Sequence, residues 1–181
     1  GLAYVAGAFE RAGAEVQVLD LVVESYHKRK LERLLATFQP DLVGATCVTM
    51  SFDAAMDVLN DVKALRPEVT TLLGGPHISY RAGETLEECP ALDVAVLGEG
   101  ETTVAELMAA FSKNGLDADL SGIAGLAFRQ GSSVWITAPR PHLLDVNGLA
   151  PPARKLLPMG RYRALGLAVS MITSRGCPFQ C

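Results

Sequence analysis

The chain has 181 residues, 49% of them hydrophobic and 20% charged, with a formal net charge of −4. That balance excludes a disordered chain, and no apolar run approaches the roughly 18 residues of a membrane span. The mild acidity argues against a dedicated nucleic-acid binder. A chain of this length buries roughly 70% of its unfolded surface and needs neither disulfides nor a structural metal to fold. Of the four cysteines, Cys47 sits in an apolar run and Cys89 at a helix end, which is unlike a secreted disulfide scaffold. A cytoplasmic location is expected. The chain begins at Gly1 without a Met or a signal peptide and stops on Cys181, so both ends read as cut.

In chain order, Leu2, Val5, Phe9 and Ala12 recur at helical spacing, and Gly13 follows as a C-terminal cap. Ala14–Asp20 alternates like a strand. Leu31, Leu34, Leu35 and Phe38 mark a second helix, which Pro40 ends. The run from Asp41 to Val48 suits a strand covered on both faces. Ser51 can cap the next helix, whose core stripe is Phe52, Ala55, Met56, Leu59 and Val62. Thr70–Leu73 is a strand leading into Gly74-Gly75-Pro76-His77. A short helix over Ala82–Glu88 precedes a buried strand, Asp93–Leu97, and the turn Gly98-Glu99-Gly100-Glu101. Thr103 and Glu106 form a capping box for a helix carrying Val104, Leu107, Met108 and Phe111.

Strands alternating with helices imply parallel βαβ units and a doubly wound α/β sheet. Because a helix comes first, the strand that should lead into it is expected to be missing. After Gly115, Ile123–Phe128 and Val134–Thr137 read as a β-hairpin. Pro139, Pro141, Pro151, Pro152 and Pro158 then mark a linker packed in extended form. Leu167–Thr173 reads as a last strand. The expected division is 1–116 for the sheet domain, 117–145 for the hairpin and 146–181 for the linker and the start of another domain.

Three strand ends carry glycine or hydroxyl residues: Thr46 to Thr49, Gly74-Gly75 and Gly98-Glu99-Gly100. Glycine lets a flat ligand or a nucleotide-like tail lie against the backbone, and a hydroxyl can bond a polar ligand group. Ordinary turns use the same residues. A dinucleotide fingerprint fits poorly, because Thr103 stands where its third glycine belongs. His77 can contact a phosphate, or be a plain turn histidine. Glu99 and Glu101 can bind ligand hydroxyls, though Glu101 also suits a helix N-terminus. Cys177-x-x-x-Cys181 has the thiolates to ligate iron or zinc.

Ser174-Arg175-Gly176-Cys177-Pro178-Phe179-Gln180-Cys181 resembles the start of the radical SAM cluster motif, C-x3-C-x2-C. Leu73-Gly74-Gly75-Pro76-His77 and Leu97-Gly98-Glu99-Gly100-Glu101-Thr102 resemble the B12-binding domain that precedes the radical SAM barrel in one subfamily. Ala150–Pro158 resembles the linker between the two modules. The resemblance implies a Rossmann-like, flavodoxin-like sheet of order 2-1-3-4-5, here without its first strand, with a C-terminal β-hairpin and linker. It implies a cobalamin-binding module whose groove holds the nucleotide tail against Thr46, Thr49, Gly74, Gly75, His77, Gly98, Glu99 and Gly100. In a full-length parent it implies a [4Fe–4S] cluster on Cys177, Cys181 and a third cysteine, S-adenosylmethionine as cosubstrate, and a downstream barrel as partner. The reaction would be methyl transfer, or radical ring closure or rearrangement.

The third cysteine would fall beyond Cys181, so this chain alone is not expected to catalyse radical chemistry, and no catalytic residue is assigned. The D-x-H-x-x-G motif of some B12 proteins is not present around His27, His77 or His142. The alternatives are a phosphoacceptor or sensor domain, a docking domain that has lost cobalamin binding, and a flavin binder. A receiver needs aspartates at strand ends, whereas Asp41 and Asp93 stand at strand beginnings. If the first strand is missing, its slot should be closed or filled by another segment, with Leu167–Thr173 as candidate.

Overall fold

The computed structural model describes residues 1–143, 145–168, 170–172 and 174–176. Its sheet has five strands in the order β1 (Leu42–Thr46), β2 (Thr70–Gly74), β3 (Val94–Val96), β4 (Leu126–Gln130) and β5 (Ser133–Ile136). The first three are mutually parallel, and the β4–β5 hairpin continues the sheet antiparallel to β3. In register, Thr46 stands opposite Gly74 and Leu73 opposite Ala95. The carboxyl ends of the three parallel strands therefore share one edge.

Period-two alternation sends neighbouring strand residues to opposite faces. Leu72, Val94, Val96, Leu126 and Phe128 pack with Ala8 of α1 (Leu2–Arg11) and Val104, Leu107 and Phe111 of α5 (Gly100–Asn114). On the other face, Leu73, Ala95 and Ala127 meet Met56 and Leu59 of α3 (Phe52–Leu65) and Ile78, Ala82 and Leu86 of α4 (Ile78–Glu88). Helix α2 (Lys28–Phe38) seats Leu31 and Leu35 against Val62 and Val69. It ends at Gln39, whose φ of 49° breaks the helix before Pro40. Helices on both faces of an open α/β sheet are the doubly wound arrangement expected from the chain's alternation.

Several local expectations are corrected. Ala14–Asp20 is not a strand. Its alternation survives as burial, with Ala14, Val16 and Val18 half-buried and Glu15 and Gln17 exposed, but among the described residues no strand runs beside it to complete a ladder. For the same reason β1 is an edge strand, with Gly44 and Thr46 exposed rather than covered on both faces. Ser51 makes no side-chain cap for α3; its Oγ exchanges hydrogen bonds with the Val48 backbone instead. Helix α4 begins at Ile78, four residues before Ala82, with a kink at Arg81.

Thr103 and Glu106 form no capping box, because α5 already begins at Gly100. Thr103 Oγ1 accepts from Arg140 Nε at 2.8 Å, and Glu106 pairs with the same guanidinium. The described residues of Leu167–Thr173 form no strand and do not fill the slot beside β1. They are drawn instead toward α1 and the linker: Tyr4 Oη donates to the Ile172 carbonyl at 3.3 Å and Arg154 Nη2 to that of Ser170 at 2.7 Å.

The proline-rich linker is packed, as its composition suggests. Ala150 and Ala153 are buried, and the Ala153 N–H donates to the Ala3 carbonyl at 2.8 Å. A Cβ on Gly7 would collide with the Pro151 carbonyl oxygen, so α1 accepts the linker only because residue 7 has no side chain. Arg11 adds hydrogen bonds to the Gly148 and Leu149 carbonyls at 2.7 and 3.0 Å. Past the linker a short helix, α6 (Met159–Ala164), carries Tyr162, whose Oη donates to Asp20 Oδ2 at 2.5 Å.

Candidate functional site

The three corner loops converge at the carboxyl edge. Gly75, with φ of 107°, lies against the β1 corner: a Cβ there would overlap the Cys47 carbonyl oxygen and sit 3.0 Å from Cys47 N and Thr46 Oγ1. The Cys47 N–H donates to the Gly74 carbonyl at 3.1 Å. Ser79 ties the next corner in. Its Oγ donates to the Gly75 carbonyl at 3.1 Å and accepts from the Gly98 N–H at 2.9 Å. His77 Nδ1 lies 3.1 Å from Thr49 Oγ1, and its ring stacks obliquely on Phe52 at 4.3 Å.

Between these loops lies open space. A Cβ on Gly74 or Gly98 would meet nothing within 4 Å. Gly74, Thr46 and Gly44 share the sheet face of Leu72, the face on which α1 and α5 pack. Thr46 and Gly44 are exposed there. Thr46 and Gly74 thus stand side by side at the carboxyl edge, with the Gly98 corner tied in through Ser79, while Thr49 and His77 pair beside Phe52 and Gly75 faces the Cys47 backbone.

Glu99 and Gly100 turn elsewhere. Glu99 Oε2 accepts from the Leu143 N–H at 3.0 Å, and its other oxygen faces Arg175 Nη1 at 3.5 Å. Gly100 opens α5, where a Cβ would press on Val96 at 3.2 Å. Glu99, Glu101, Thr102, Arg140, Pro141, His142 and Leu143 line a separate cavity of about 290 Å³. Cys177 and Cys181 lie outside the described residues.

Three contributors were not read from the sequence. Gly44 could have been found by stepping back two residues from Thr46, since period two returns to the same face. Ser79 gave no signal, because its role depends on two loops meeting. Arg175 was visible only as part of the cysteine string.

An open α/β sheet with glycine corners at the carboxyl ends of its parallel strands is an architecture of the Rossmann-like class. Comparison with known proteins narrows the class. Residues 1–108 match the family model for the B12 binding domain. Over its whole length the chain is 36% identical to an uncharacterized methyltransferase of Pyrococcus horikoshii, covering 39% of that protein. It is 32% identical, over 99% of its length, to the anaerobic magnesium-protoporphyrin IX monomethyl ester cyclase of Cereibacter sphaeroides, covering 30% of that enzyme. The solved structure of the cobalamin-dependent S-adenosylmethionine radical enzyme OxsB, with aqua-cobalamin and S-adenosylmethionine bound, matches 98% of the chain. It does so with a TM-score of 0.78 at 19% identity, over 24% of the OxsB chain. The chain belongs to the B12-binding domain family, and it spans less than half the length of these relatives.

Among the described residues no helix is long and apolar enough to cross a membrane.

Proposed function

We propose that this chain is the cobalamin-binding module of a radical S-adenosylmethionine enzyme acting in methyl transfer or in radical ring closure or rearrangement. The observation that carries the reading is the open backbone at Gly74 and Gly98 beside Thr46, with their corners bridged by Ser79. That trough fits an extended nucleotide arm, because bare peptide lets it approach and hydroxyls can bond its polar groups. Thr46, Thr49, Gly74, Gly75, His77 and Gly98 would hold it, with Glu99 and Gly100 following Gly98 in its corner. Cobalamin, when bound, supplies a corrin-held cobalt that can carry a methyl group, while the protein positions it.

The reading carries with it a full-length parent in which Cys177 and Cys181 hold part of a [4Fe–4S] cluster and a radical SAM barrel follows in the same chain. The division at 1–116, 117–145 and 146–181 is part of this reading. Unbridged Cys47 and Cys89 are consistent with a cytoplasmic setting. A docking domain that has lost its ligand is disfavoured, since no side chain stands where a Cβ on Gly74 or Gly98 would project.

Hydroxocobalamin titration tests the reading. The chain should shift the absorption bands of the ligand and carry it through a desalting column. Gly74→Leu should abolish retention while leaving the thermal transition within about 1–2 kcal/mol of wild type, because the space it enters is open and no positive φ is strained. Absence of retention by the wild-type chain, or equal retention by Gly74→Leu, refutes the assignment.

A further inference from the structure

Two residues before Cys177 the chain turns back onto the corner that follows β3. Arg175 Nη2 donates to Glu101 Oε1 at 2.5 Å, and Nη1 faces Glu99 Oε1 at 3.5 Å. The guanidinium also lies 5.1 Å from the centroid of the Tyr4 ring. Glu101 is only 7% exposed, and the Arg175 side chain 17%. Burial pushes the Glu101 carboxyl up, but the Arg175 guanidinium and a backbone N–H more than offset this and hold it below the ordinary carboxylate value. A planar fork serving two carboxylates and a ring cannot be reproduced by a lysine ammonium. Exposed ion pairs contribute little to stability, but this one closes over a buried carboxylate.

The surroundings show what the pair holds. From the end of α6 at Ala164 to Gly176, no described residue belongs to a helix or strand. A segment without ladder or helix bonds takes its path from side-chain anchors. Here these are Tyr4 on Ile172, Arg154 on Ser170 and Arg175 on the corner. Arg175 is the anchor nearest the cysteine pair in sequence. The corner it grips also supplies Gly98 to the trough.

We propose that Arg175 is a positioning residue that fixes the approach to Cys177 against the Gly98–Glu101 corner. On the cobalamin reading above, from which the proposal extends, this sets residues 174–176 and the corner that carries Gly98 in one relation. Glu101, read from the sequence as a helix-terminus or ligand group, is the buried half of that latch. Glu99 is its second arm, shared between Arg175 and the Leu143 N–H.

Limited trypsin digestion of the 181-residue chain reads the latch directly, because trypsin must draw the Arg175 side chain into its own pocket to cut the 175–176 bond. Glu101→Gln should accelerate that cut about tenfold, the scale of a lost charge-assisted hydrogen bond. Glu99→Gln should accelerate it less. Cleavage after Arg163, exposed on α6, is the reference for a general loosening of the C-terminal segment. If Glu101→Gln accelerates both cuts, Glu99→Gln decides: a rise confined to the 175–176 bond supports the latch, and no rise overturns it. Amide exchange over residues 170–176 should increase in Arg175→Gln and be partly restored in Arg175→Lys. Equal exchange in all three chains overturns the proposal. These assays contain no cobalamin. A chain that retains cobalamin but shows no change at the 175–176 bond refutes the latch alone. A chain that shows the change but retains no cobalamin refutes the cofactor reading alone.

Discussion

Gly74 and Gly75 are adjacent and chemically identical, yet alanine should destabilise one and leave the other nearly unchanged. At Gly75 the backbone has φ of 107°, which an L side chain rarely adopts. Such strain costs of order 1–3 kcal/mol. The new methyl would also overlap the Cys47 carbonyl oxygen, so the β1 and β2 corners must separate. That movement weakens the hydrogen bond from the Cys47 N–H to the Gly74 carbonyl, now 3.1 Å, a further loss of about 0.5–1.5 kcal/mol. Lower entropy of the unfolded alanine chain returns about 0.4–1 kcal/mol. The net for Gly75→Ala is about 2–3 kcal/mol, or a fall in Tm of roughly 4–12 °C for a chain of this size. Gly74→Ala meets no atom within 4 Å and has no positive φ, so its Tm should stay within about 2 °C of wild type. Differential scanning calorimetry of the two variants decides the matter. Equal transitions for both would show that the Gly75 corner is not the tight junction described above.

Ser79→Ala removes the acceptor of the Gly98 N–H and the donor to the Gly75 carbonyl, and should cost about 1 kcal/mol in urea denaturation while weakening cobalamin retention. Because the Glu101 carboxyl is held below its ordinary value of about 4.5, its contribution to stability is present above that pH and lost as pH falls through the folded-state value. Urea midpoints measured between about pH 6 and pH 3 should therefore fall more steeply for wild type than for Glu101→Gln. The hydrogen bond to Asp20, with some burial, pushes the Tyr162 hydroxyl from 10.0 up to about 12. The stability it contributes is complete below pH 10 and declines as pH rises toward 12. Tyr162→Phe should flatten that alkaline decline, and an unchanged slope would remove Tyr162 as its source.

The parts of the fold that local periodicity determines were legible. The apolar stripes of α1, α2, α3 and α5, the runs in β2 and β3, and the hairpin all appear where spacing placed them. Failures came where structure depends on a partner distant in sequence. Ala14–Asp20 has the alternation of a strand and even its burial pattern, but a ladder needs a second strand, and among the described residues none lies alongside. Leu167–Thr173 is apolar enough for a strand, but its described residues are drawn to Tyr4 and Arg154. Thr103 and Glu106 have capping-box spacing, but a helix that starts three residues earlier leaves both facing Arg140. Glycines and hydroxyls at strand ends marked the three corners that the fold gathers at the carboxyl edge. The direction in which Glu99 turns was set by Leu143 and Arg175, 44 and 76 residues away, beyond the reach of any local pattern.

The notch at Gly7 has a consequence for inheritance. Because the linker carbonyl fits into a gap left by one absent methyl group, the smallest substitution at that helix position should pry the arm loose. Residues 148–153 thereby become a bracket bolted to the first helix rather than a leash. In an arrangement of this kind, insertions that leave the bracket intact can be tolerated in its flanking loops, whereas a single added methyl at residue 7 would shift everything that the arm carries.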